Sequence, residues 1–207
     1  MNDPLKFAQR TKKAGVLIIR NAVNTICNIP QLSDRILTEL TDKTWDKQYF
    51  DTRRQKVLNK RARWNVCIKN DAKPADYENK QGTVLSYKEV PNLRLWKKTM
   101  EEIINEPNEL ECEGNMYYDA KKCGIGFHGD AERKKVVAAS FCSKDVVREI
   151  RWQWYIDSLR VGEPVVVKLY NGDCYIMSEK ATGFDWKRRN IFTLRHAAGV
   201  EGNKYLK

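Results

Sequence analysis

His128 and Asp130 are the two residues of this sequence whose types and spacing could hold a metal ion. In an extended backbone, residues two positions apart point to the same side, so the imidazole and the carboxylate would converge on one point. They would supply two thirds of the 2-His-1-carboxylate facial triad, a ligand set that leaves open positions on an Fe(II) ion. A His-x-Asp tripeptide also arises by chance, and the alternative is a surface turn with a capping aspartate.

The part of the chain that must position this pair, from Leu110 onward, has the pattern of short β-strands. Asn171-Gly172 gives the strongest hairpin signal of the sequence, between Tyr170 and Asp173. With no alternation of strands and helices, the pattern predicts a barrel or jelly roll. The predicted strands are Glu111–Tyr118, Gly124–His128, Lys135–Cys142, Glu149–Ile156, Pro164–Tyr170, Asp173–Met177 and Ile191–Ala197.

The first half of the chain combines a strand with helices. Val16–Val23 is apolar and β-rich, which predicts a buried strand. Ser33 is a suitable N-cap for a helix that runs to Trp45, and Leu93–Ile104 has an apolar helical stripe that Pro107 ends. We therefore expect a mainly β protein with flanking helices (α+β). An N-terminal helical and basic extension (residues 1–109) would pack on a β core (residues 110–207) as one structural unit.

The chain is strongly basic, with 38 Lys and Arg against 27 Asp and Glu and a net charge of +11. This charge predicts attraction to polyanions, nucleic acid first among them; the alternative is a basic surface that only keeps the protein in solution. No apolar run approaches the ~20 residues that span a bilayer, so no membrane partner is expected. The polar residues 1–13 and six dispersed cysteines favour an intracellular protein, in cytoplasm or nucleus rather than secreted.

The most basic segment runs from Arg53 to Asn65 and holds six cations in the eleven positions that precede Trp64, with no acid among them. Cations that neutralise phosphates, beside an aromatic ring that can stack on a base, are typical of a nucleic-acid site. The alternative is a solvated helix face with Trp64 in the core. The candidate nucleic-acid-binding residues are Arg53, Arg54, Lys60, Arg61, Arg63 and Trp64.

Several blocks of the second half, taken in order, resemble the AlkB-like branch of the Fe(II)/2-oxoglutarate dioxygenases. Residues 123–133 and 175–183 look most like the AlkB-related oxygenases of large DNA viruses and some microbial eukaryotes. The resemblance covers residues 110–200, roughly half of the chain. The blocks are Asn115-x-Tyr117, Gly124-Ile125-Gly126-x-His128-x-Asp130-x-Glu132, residues 165–177 and Arg189-Asn190-Ile191-Phe192-Thr193-Leu194-Arg195.

The resemblance implies a double-stranded β-helix (jelly roll) with Fe(II) at its open end, 2-oxoglutarate as cosubstrate and O₂ as oxidant. It implies that an alkyl group on a base of DNA or RNA, single strands included, is hydroxylated or removed, with release of succinate and CO₂. His128 and Asp130 would be catalytic metal ligands, and Asn115 and Tyr117 would hydrogen-bond 2-oxoglutarate. The basic N-terminal region would correspond to the family's substrate lid, and we expect a monomer.

Arg189 and Arg195 match the first and last arginines of the family's R-x-N-x-T-F-R block, which implies that Arg195 binds a carboxylate of 2-oxoglutarate. Ile191 replaces the asparagine of that block, a change that alters hydrogen bonding around the site.

The third metal ligand departs from the family pattern, because Asp185-Trp186-Lys187 stands where the distal histidine is expected. The chain has only two histidines, so a complete triad requires His196. Lys204 then becomes a candidate partner of 2-oxoglutarate. In the alternative, Arg195 faces the cosubstrate, His196 points away, and the iron has two protein ligands or Asp185 as the third. We favour His196.

Two other functions remain open from the sequence. The same fold can carry a protein or small-molecule hydroxylase, because a fold does not fix the substrate. A module that binds nucleic acid but has lost catalysis would result if the distal ligand is missing.

Overall fold

A computed structural model describes residues 12–105 and 109–206 of the chain and is mainly β, as predicted. Residues 1–11, part of the polar N-terminal segment, and Pro107, the predicted helix end, lie outside the described residues. No helix in the described ranges has the length and apolar character needed to cross a bilayer. The strands are β1 (Val16–Ile19), β2 (Gln48–Asp51), β3 (Lys56–Asn59), β4 (Trp64–Lys69), β5 (Val84–Ser86), β6 (Cys112–Met116), β7 (Gly124–His128), β8 (Val136–Ala139), β9 (Arg148–Ile156), β10 (Leu159–Leu169), β11 (Cys174–Met177) and β12 (Thr193–Val200). The helices are α1 (Ala22–Ile26), α2 (Leu32–Thr41), α3 (Pro91–Ile104), α4 (Glu179–Thr182) and a 3-10 turn, Lys204–Leu206.

The chain divides into two compact units with boundaries at Asn21/Ala22 and Cys123/Gly124. The predicted division between residues 109 and 110 falls inside the unit formed by Ala22–Cys123. One unit, here called the β unit, joins the residues up to Asn21 with those from Gly124 onward. The other, the α/β unit, is the continuous segment Ala22–Cys123.

The β unit consists of two antiparallel sheets, ordered β1-β11-β8 and β10-β9-β12-β7. Alternate residues of β9, Ile150 and Trp152, are buried and meet Met177 of β11, whose sulfur lies 3.3 Å from the Trp152 indole nitrogen. This contact ties the two sheets together through one apolar core. The core residues are Ile150, Trp152, Leu169, Met177, Ala181 and Leu194.

Strand β1 is shorter than predicted and pairs with the end of the β unit. Val16 lies opposite Met177, and residues 22 and 23 of the predicted strand begin α1 instead. Asp173, which the sequence suggested was a simple hairpin residue, is buried and accepts hydrogen bonds from the Arg20 side chain and the Asn21 amide. The polar end of β1 is thereby fixed to the turn before β11.

The hairpin prediction at Asn171-Gly172 is wrong. These residues form a turn, with Gly172 at φ +81°, but β10 and β11 on either side belong to different sheets. The hairpin of the β unit is instead at Asp157-Ser158, which join β9 to β10 with φ of +44° and +67°. Aspartate tolerates such positive φ values, although glycine is the commoner signal.

The α/β unit contains α1–α3, the β2–β3 hairpin and a three-stranded sheet ordered β5-β4-β6. Helix α2 ends at Thr41, before the predicted end at Trp45, whose indole instead donates to the Leu40 carbonyl. Strand β6, predicted as part of the β core, pairs with β4 of this unit. The basic segment forms β3 and the start of β4, so its interpretation as a helix face is wrong.

Candidate metal centre

His128 and Asp130 stand at the end of β7, where the chain turns tightly against α4. A Cβ atom on Gly129 would lie 2.2 Å from the Gly183 carbonyl oxygen and 2.6 Å from the Trp186 Cβ, so only glycine fits there. The Asp130 amide donates to the Thr182 carbonyl at 2.9 Å. The turn between the two side chains is therefore fixed by backbone packing on both sides.

The tautomer of His128 is set by its own strand. Nδ1 lies 2.8 Å from the Gly126 carbonyl oxygen, an acceptor that requires the proton on Nδ1. The Nε2 lone pair then points away, toward Asp130, whose Oδ1 is 3.6 Å from it. A carbonyl on the far nitrogen is the usual support of a metal-binding histidine.

His196 supplies the third donor, from the middle of β12. Its backbone lies opposite His128 on one side and Trp152 on the other, and the two imidazole rings have their centres 4.4 Å apart. Nε2 of His196 is 3.8 Å from Oδ2 of Asp130. The three side chains each offer a ligand atom, and these atoms lie within 4.8 Å of one another.

The donor set fits a divalent transition metal ion. Burial, with the nearby His128 and Arg133 charges, lowers the pKa of His196 to about 3, so its imidazole is neutral and its lone pair is available at neutral pH. Nδ1 of His196 is buried and has no hydrogen-bond partner among the described residues. Two imidazoles and one carboxylate are the ligands of the facial triad, whose remaining positions stay open.

Asp185, the alternative third ligand, is engaged elsewhere. Its Oδ2 accepts a hydrogen bond from Lys180 Nζ at 2.7 Å, and the same ammonium donates to the Phe192 carbonyl at 2.6 Å. Lys180 and Asp185 are both buried. The interpretation of Asp185 as a metal ligand is therefore wrong, and the neighbouring Lys187 is exposed, 5.7 Å from the centre of the Trp186 ring.

The three predicted cosubstrate residues of the β unit make contacts with groups other than the three triad side chains. Arg195 lies on the face of β12 opposite His196, with its guanidinium over the rings of Tyr155 and Trp186. Arg189 is exposed and pairs with Asp157 at 3.8 Å. Lys204 is exposed on the 3-10 turn, with its ammonium 5.2 Å from the centre of the Tyr205 ring.

Arg133 is a cation beside the triad that the sequence analysis did not single out. Its Nη1 lies 3.7 Å from Asp130 Oδ2, and its carbonyl accepts a hydrogen bond from the Thr182 hydroxyl at 2.9 Å. Only its position three residues after Asp130 could have drawn attention to it.

Asn115 and Tyr117 belong to the α/β unit. Asn115 is the fourth residue of β6, lies opposite Asn65 of β4, and accepts a hydrogen bond from Arg63 Nε at 2.5 Å. Tyr117 follows directly after β6.

Comparison with known proteins finds a close relative over the whole chain. The chain is 42% identical over 209 residues to "Uncharacterized protein R156" of Acanthamoeba polyphaga mimivirus, and the match covers 100% of this chain and 78% of the mimivirus protein. The chain belongs to the same family as this mimivirus protein. No protein-family model matches the sequence.

In this member of the mimivirus protein family, the basic segment separates into exposed and engaged cations. Arg53 and Arg54 lie exposed at the tip of the β2–β3 hairpin, and Arg61 is exposed after β3. Lys60 instead donates to Asn65 and lies 4.0 Å from Asp46, and Arg63 donates to Asn115. Lys56, at the start of β3, is exposed as well, so four of the six cations are exposed and two are engaged.

Trp64 forms an aromatic stack with Tyr118, with ring centres 4.2 Å apart and planes 18° from parallel. The ammonium of Lys47 lies 4.6 Å from the centre of the Trp64 ring, and Tyr118 is 39% exposed. The Tyr118 hydroxyl donates to the Arg61 carbonyl, which brings this stack next to an exposed cation. Tyr118 and Lys47 were missed because strand pairing, rather than sequence proximity, brings them to Trp64.

Proposed function

We propose that the chain is an Fe(II)- and 2-oxoglutarate-dependent dioxygenase of the AlkB-like type, built on a jelly-roll core. The observation that carries this proposal is the convergence of His128, Asp130 and His196, whose ligand atoms lie within 4.8 Å of one another. The two antiparallel sheets of the β unit, joined through the Trp152–Met177 contact, are consistent with a double-stranded β-helix.

The chemistry supplied by a bound ferrous ion with 2-oxoglutarate is the coupling of O₂ reduction to succinate and CO₂ release and to insertion of oxygen into a substrate C–H bond. His128, Asp130 and His196 would hold the ion on one side, leaving the opposite side to cosubstrate and O₂. The Gly126 carbonyl keeps His128 in the right tautomer, and the Thr182 carbonyl holds the Asp130 backbone. Burial of His196 would keep water away from this ligand when an ion is bound.

Recognition of the cosubstrate is assigned here to Arg133 within the β unit. Its guanidinium lies 3.7 Å from the Asp130 carboxylate, so it would be close enough to the triad to pair with a carboxylate of the cosubstrate. Arg195 and Lys204, whose contacts are with aromatic rings, are not part of this assignment.

The substrate proposed is a nucleic-acid base that carries an alkyl group. The exposed Arg53, Arg54 and Arg61 would contact phosphates, and the Trp64–Tyr118 stack offers a partly exposed ring to a base. A base inside a duplex must be flipped out before it is oxidised, so single strands would be the easier substrate. The net charge of +11 supports this substrate class over a neutral small molecule.

Metal binding is the first test. Wild-type protein titrated anaerobically with Fe(II) and 2-oxoglutarate should show a charge-transfer absorption that saturates at one ion per chain. His128→Ala, Asp130→Ala and His196→Ala should each weaken Fe(II) binding by about tenfold or more, because two ligands hold the ion poorly. Lys187→Ala, an exposed change in the nearby loop, is the control. Full metal affinity in His196→Ala would show that His196 is not the third ligand of the ion.

Turnover is the second test. The anaerobic complex is mixed with methylated single-stranded oligonucleotides, and O₂ is admitted while succinate is measured. Succinate formation should rise with the methylated oligonucleotide and stay low with its unmethylated counterpart. If the protein binds metal but forms no oligonucleotide-dependent succinate, the proposed metal centre stands and the proposed nucleic-acid substrate is wrong. A protein or small-molecule hydroxylase would then be the better proposal.

A further inference from the structure

Strand β7 contains a β-bulge directly before the metal ligand His128. Gly124 lies opposite Gly199 of β12, and His128 lies opposite His196. Between these two pairs, residues 125–127 of β7 face residues 197 and 198 of β12, so β7 carries an extra residue. Regular pairing continued from Gly124 would put Phe127 opposite His196 and turn His128 to the other face of the sheet. The bulge therefore lets both ends of β7 pair with β12 while His128 faces the triad.

The same bulge directs the Gly126 carbonyl toward the imidazole of His128. Nδ1 of His128 lies 2.8 Å from that oxygen, which fixes the proton on Nδ1 and leaves Nε2 for a metal ion. In a regular strand the backbone carbonyls point to the neighbouring strands, so a side chain two residues further on does not reach one. If β7 relaxed into regular pairing with His128 still opposite His196, this contact would be lost.

Strand β7 has little of its own to hold the bulge. It is the outermost strand of its sheet, and Gly124 and Gly126 have no side chains that could specify its register. The end beyond His128 is fixed, because the Asp130 amide donates to the Thr182 carbonyl at 2.9 Å. A strand fixed at one end alone could slide by one residue at the other, so the bulge requires that Gly124 is held as well.

The 3-10 turn Lys204–Leu206 packs closely against Gly124. A Cβ atom on Gly124 would lie 2.8 Å from Cδ2 and 3.0 Å from Cβ of Tyr205, so the aromatic side chain touches the bare backbone. A Cβ atom on Gly126 would lie 4.0 Å from the Tyr205 carbonyl oxygen. The half-buried Tyr205 thus covers the part of β7 that leads into the bulge.

The turn is itself anchored to the neighbouring strands β12 and β9. A Cβ atom on Gly199 of β12 would lie 3.4 Å from Asn203 Cβ and 3.5 Å from Leu206 Cγ. Arg151 of β9 donates from Nη1 to the Leu206 carbonyl at 2.8 Å, and the Tyr205 amide donates to the Asn203 side chain at 3.0 Å. Gly199 and Arg151 belong to the face of the sheet opposite the triad. The turn therefore joins β7, β12 and β9 from behind the metal ligands.

We propose that Tyr205 is a positioning residue for the metal centre. Its ring holds Gly124 in register with β12, and this keeps the bulge that presents the Gly126 carbonyl to His128. The proposal rests on the metal centre of the proposed function, and Tyr205 acts on it only through β7. Without the ring, β7 should relax into regular pairing and the proton of His128 should move to Nε2, the atom that a metal ion needs.

The first measurement is the tautomer of His128 in metal-free full-length protein, kept with a chelator. Imidazole nitrogen chemical shifts report it by NMR at mildly alkaline pH, where neutral imidazole predominates. The chain has two histidines, so His196→Gln assigns their signals. Wild type should carry the His128 proton on Nδ1. Tyr205→Ala should populate the Nε2–H form, whereas Tyr205→Phe, which keeps the ring, should match wild type.

The second measurement is the binding of Co(II) alone. Tyr205→Ala should bind Co(II) at least about tenfold more weakly, because partners that orient a metal-binding histidine change affinity by about 10–100-fold. Two controls separate positioning from general stability: Tyr170→Ala removes an exposed ring of the same unit, and Leu169→Ala removes a buried core side chain. Both should keep the Nδ1–H tautomer and the wild-type Co(II) affinity, although Leu169→Ala lowers the free energy of unfolding.

Three results would overturn the role of Tyr205: an Nε2–H tautomer in wild type, wild-type tautomer and Co(II) affinity in Tyr205→Ala, or an equal tautomer shift in Leu169→Ala. If Tyr205→Ala does not fold, Gly124→Ala decides, because its new Cβ would displace the same ring. If neither variant folds, the turn supports only the fold and the proposal is wrong. A wild-type protein that has the Nδ1–H tautomer but binds no Co(II) would instead reject the proposed metal centre.

Discussion

At the scale of single residues, the sequence singled out the three side chains that the structure brings together, but their types alone could not decide between two neighbouring residues. His-x-Asp placed two donors on one side of a strand, and the scarcity of histidines pointed to His196. Arg195 and His196 are adjacent, so only one of them can face the triad, and the choice depends on strand register. The pairing of His196 with His128 across β7 and β12 makes that choice. Arg133 gave no motif at all.

The buried imidazole of His196 predicts a loss of stability in acid. Its pKa is about 3 in the folded protein against an ordinary value of 6.5, so between these values the unfolded chain binds the extra proton. The contribution of His196 to the free energy of unfolding of metal-free protein should be constant above pH 6.5. Below pH 6.5 it should fall by up to about 1.4 kcal/mol for each pH unit. Urea unfolding at a series of pH values measures the slope.

The control for this slope is His196→Gln, which cannot take up the proton and should flatten the pH dependence. His128→Gln keeps the buried imidazole and should retain most of the slope. An unchanged slope in His196→Gln would assign the acid sensitivity to other groups.

Gly129 should not tolerate a side chain. In Gly129→Ala the new Cβ would lie 2.2 Å from the Gly183 carbonyl, a backbone atom, so the turn between His128 and Asp130 must shift. We expect a loss of about 1–3 kcal/mol of unfolding free energy and weaker metal binding. Gly126→Ala is the matched control on the same strand, since its nearest neighbour would be 4.0 Å away. Thermal unfolding and metal titration compare them, and equal behaviour of the two variants would contradict the close-packed turn.

At the scale of elements, α4 is the support that the sequence did not reveal. Its four residues are too few for a helical pattern, yet Thr182 holds both the Asp130 amide and the Arg133 carbonyl. The strands from Leu110 onward were easier to predict, because short apolar β-rich runs mark them locally, whereas β2 to β5 were not predicted. Their partners were not: Asn171-Gly172 is a good turn signal, but a turn cannot show whether the next strand returns to the same sheet.

Replacing only one partner of the buried Lys180–Asp185 pair should strongly lower the free energy of unfolding. Lys180→Met leaves the buried Asp185 carboxylate without its cation, which should cost about 3–5 kcal/mol of unfolding free energy. The double variant Lys180→Met/Asp185→Leu should recover most of that loss, since it removes both charges. Urea unfolding of the two variants gives the comparison.

Lys168→Met is the control for this pair. It breaks an ion pair of equal length, 2.7 Å to Glu201, between side chains that are 50% and 49% exposed. We expect a change below about 1 kcal/mol, because water screens that pair. A similar loss of unfolding free energy in Lys168→Met and Lys180→Met would contradict the prediction that burial makes the Lys180–Asp185 pair costly to break.

At the scale of the whole molecule, composition gives the net charge but does not show which cations are exposed to a ligand. Six cations of the basic segment look alike in the sequence, and only the structure shows that Lys60 and Arg63 are engaged while the other four, Arg53, Arg54, Lys56 and Arg61, are exposed. The division into two units was also hidden. It depends on β1 pairing with β11 across a separation of more than 150 residues, which no local pattern reports.

The exposed cations predict how nucleic-acid binding responds to salt. Arg53→Glu/Arg54→Glu/Arg61→Glu should weaken oligonucleotide binding and reduce the slope of log K against log salt by about one per lost phosphate contact. Fluorescence anisotropy at several salt concentrations measures the slope. Arg35→Glu/Arg94→Glu/Lys98→Glu makes the same charge change at exposed positions of the α/β unit and serves as control. Equal slopes in the two triple variants would mean that nucleic-acid binding depends on the net charge and not on Arg53, Arg54 and Arg61.

The pairing of β1 with β11 also bears on the order in which the protein is made. Val16–Ile19 leaves the ribosome early, whereas its partner Cys174–Met177 follows only after the continuous Ala22–Cys123 segment has been synthesised. The α/β unit can therefore begin to fold during translation, while β1 must wait with its apolar residues unpaired. Completion of the three-stranded sheet is a late, non-local step, which is the kind that slows folding and exposes a chain to aggregation.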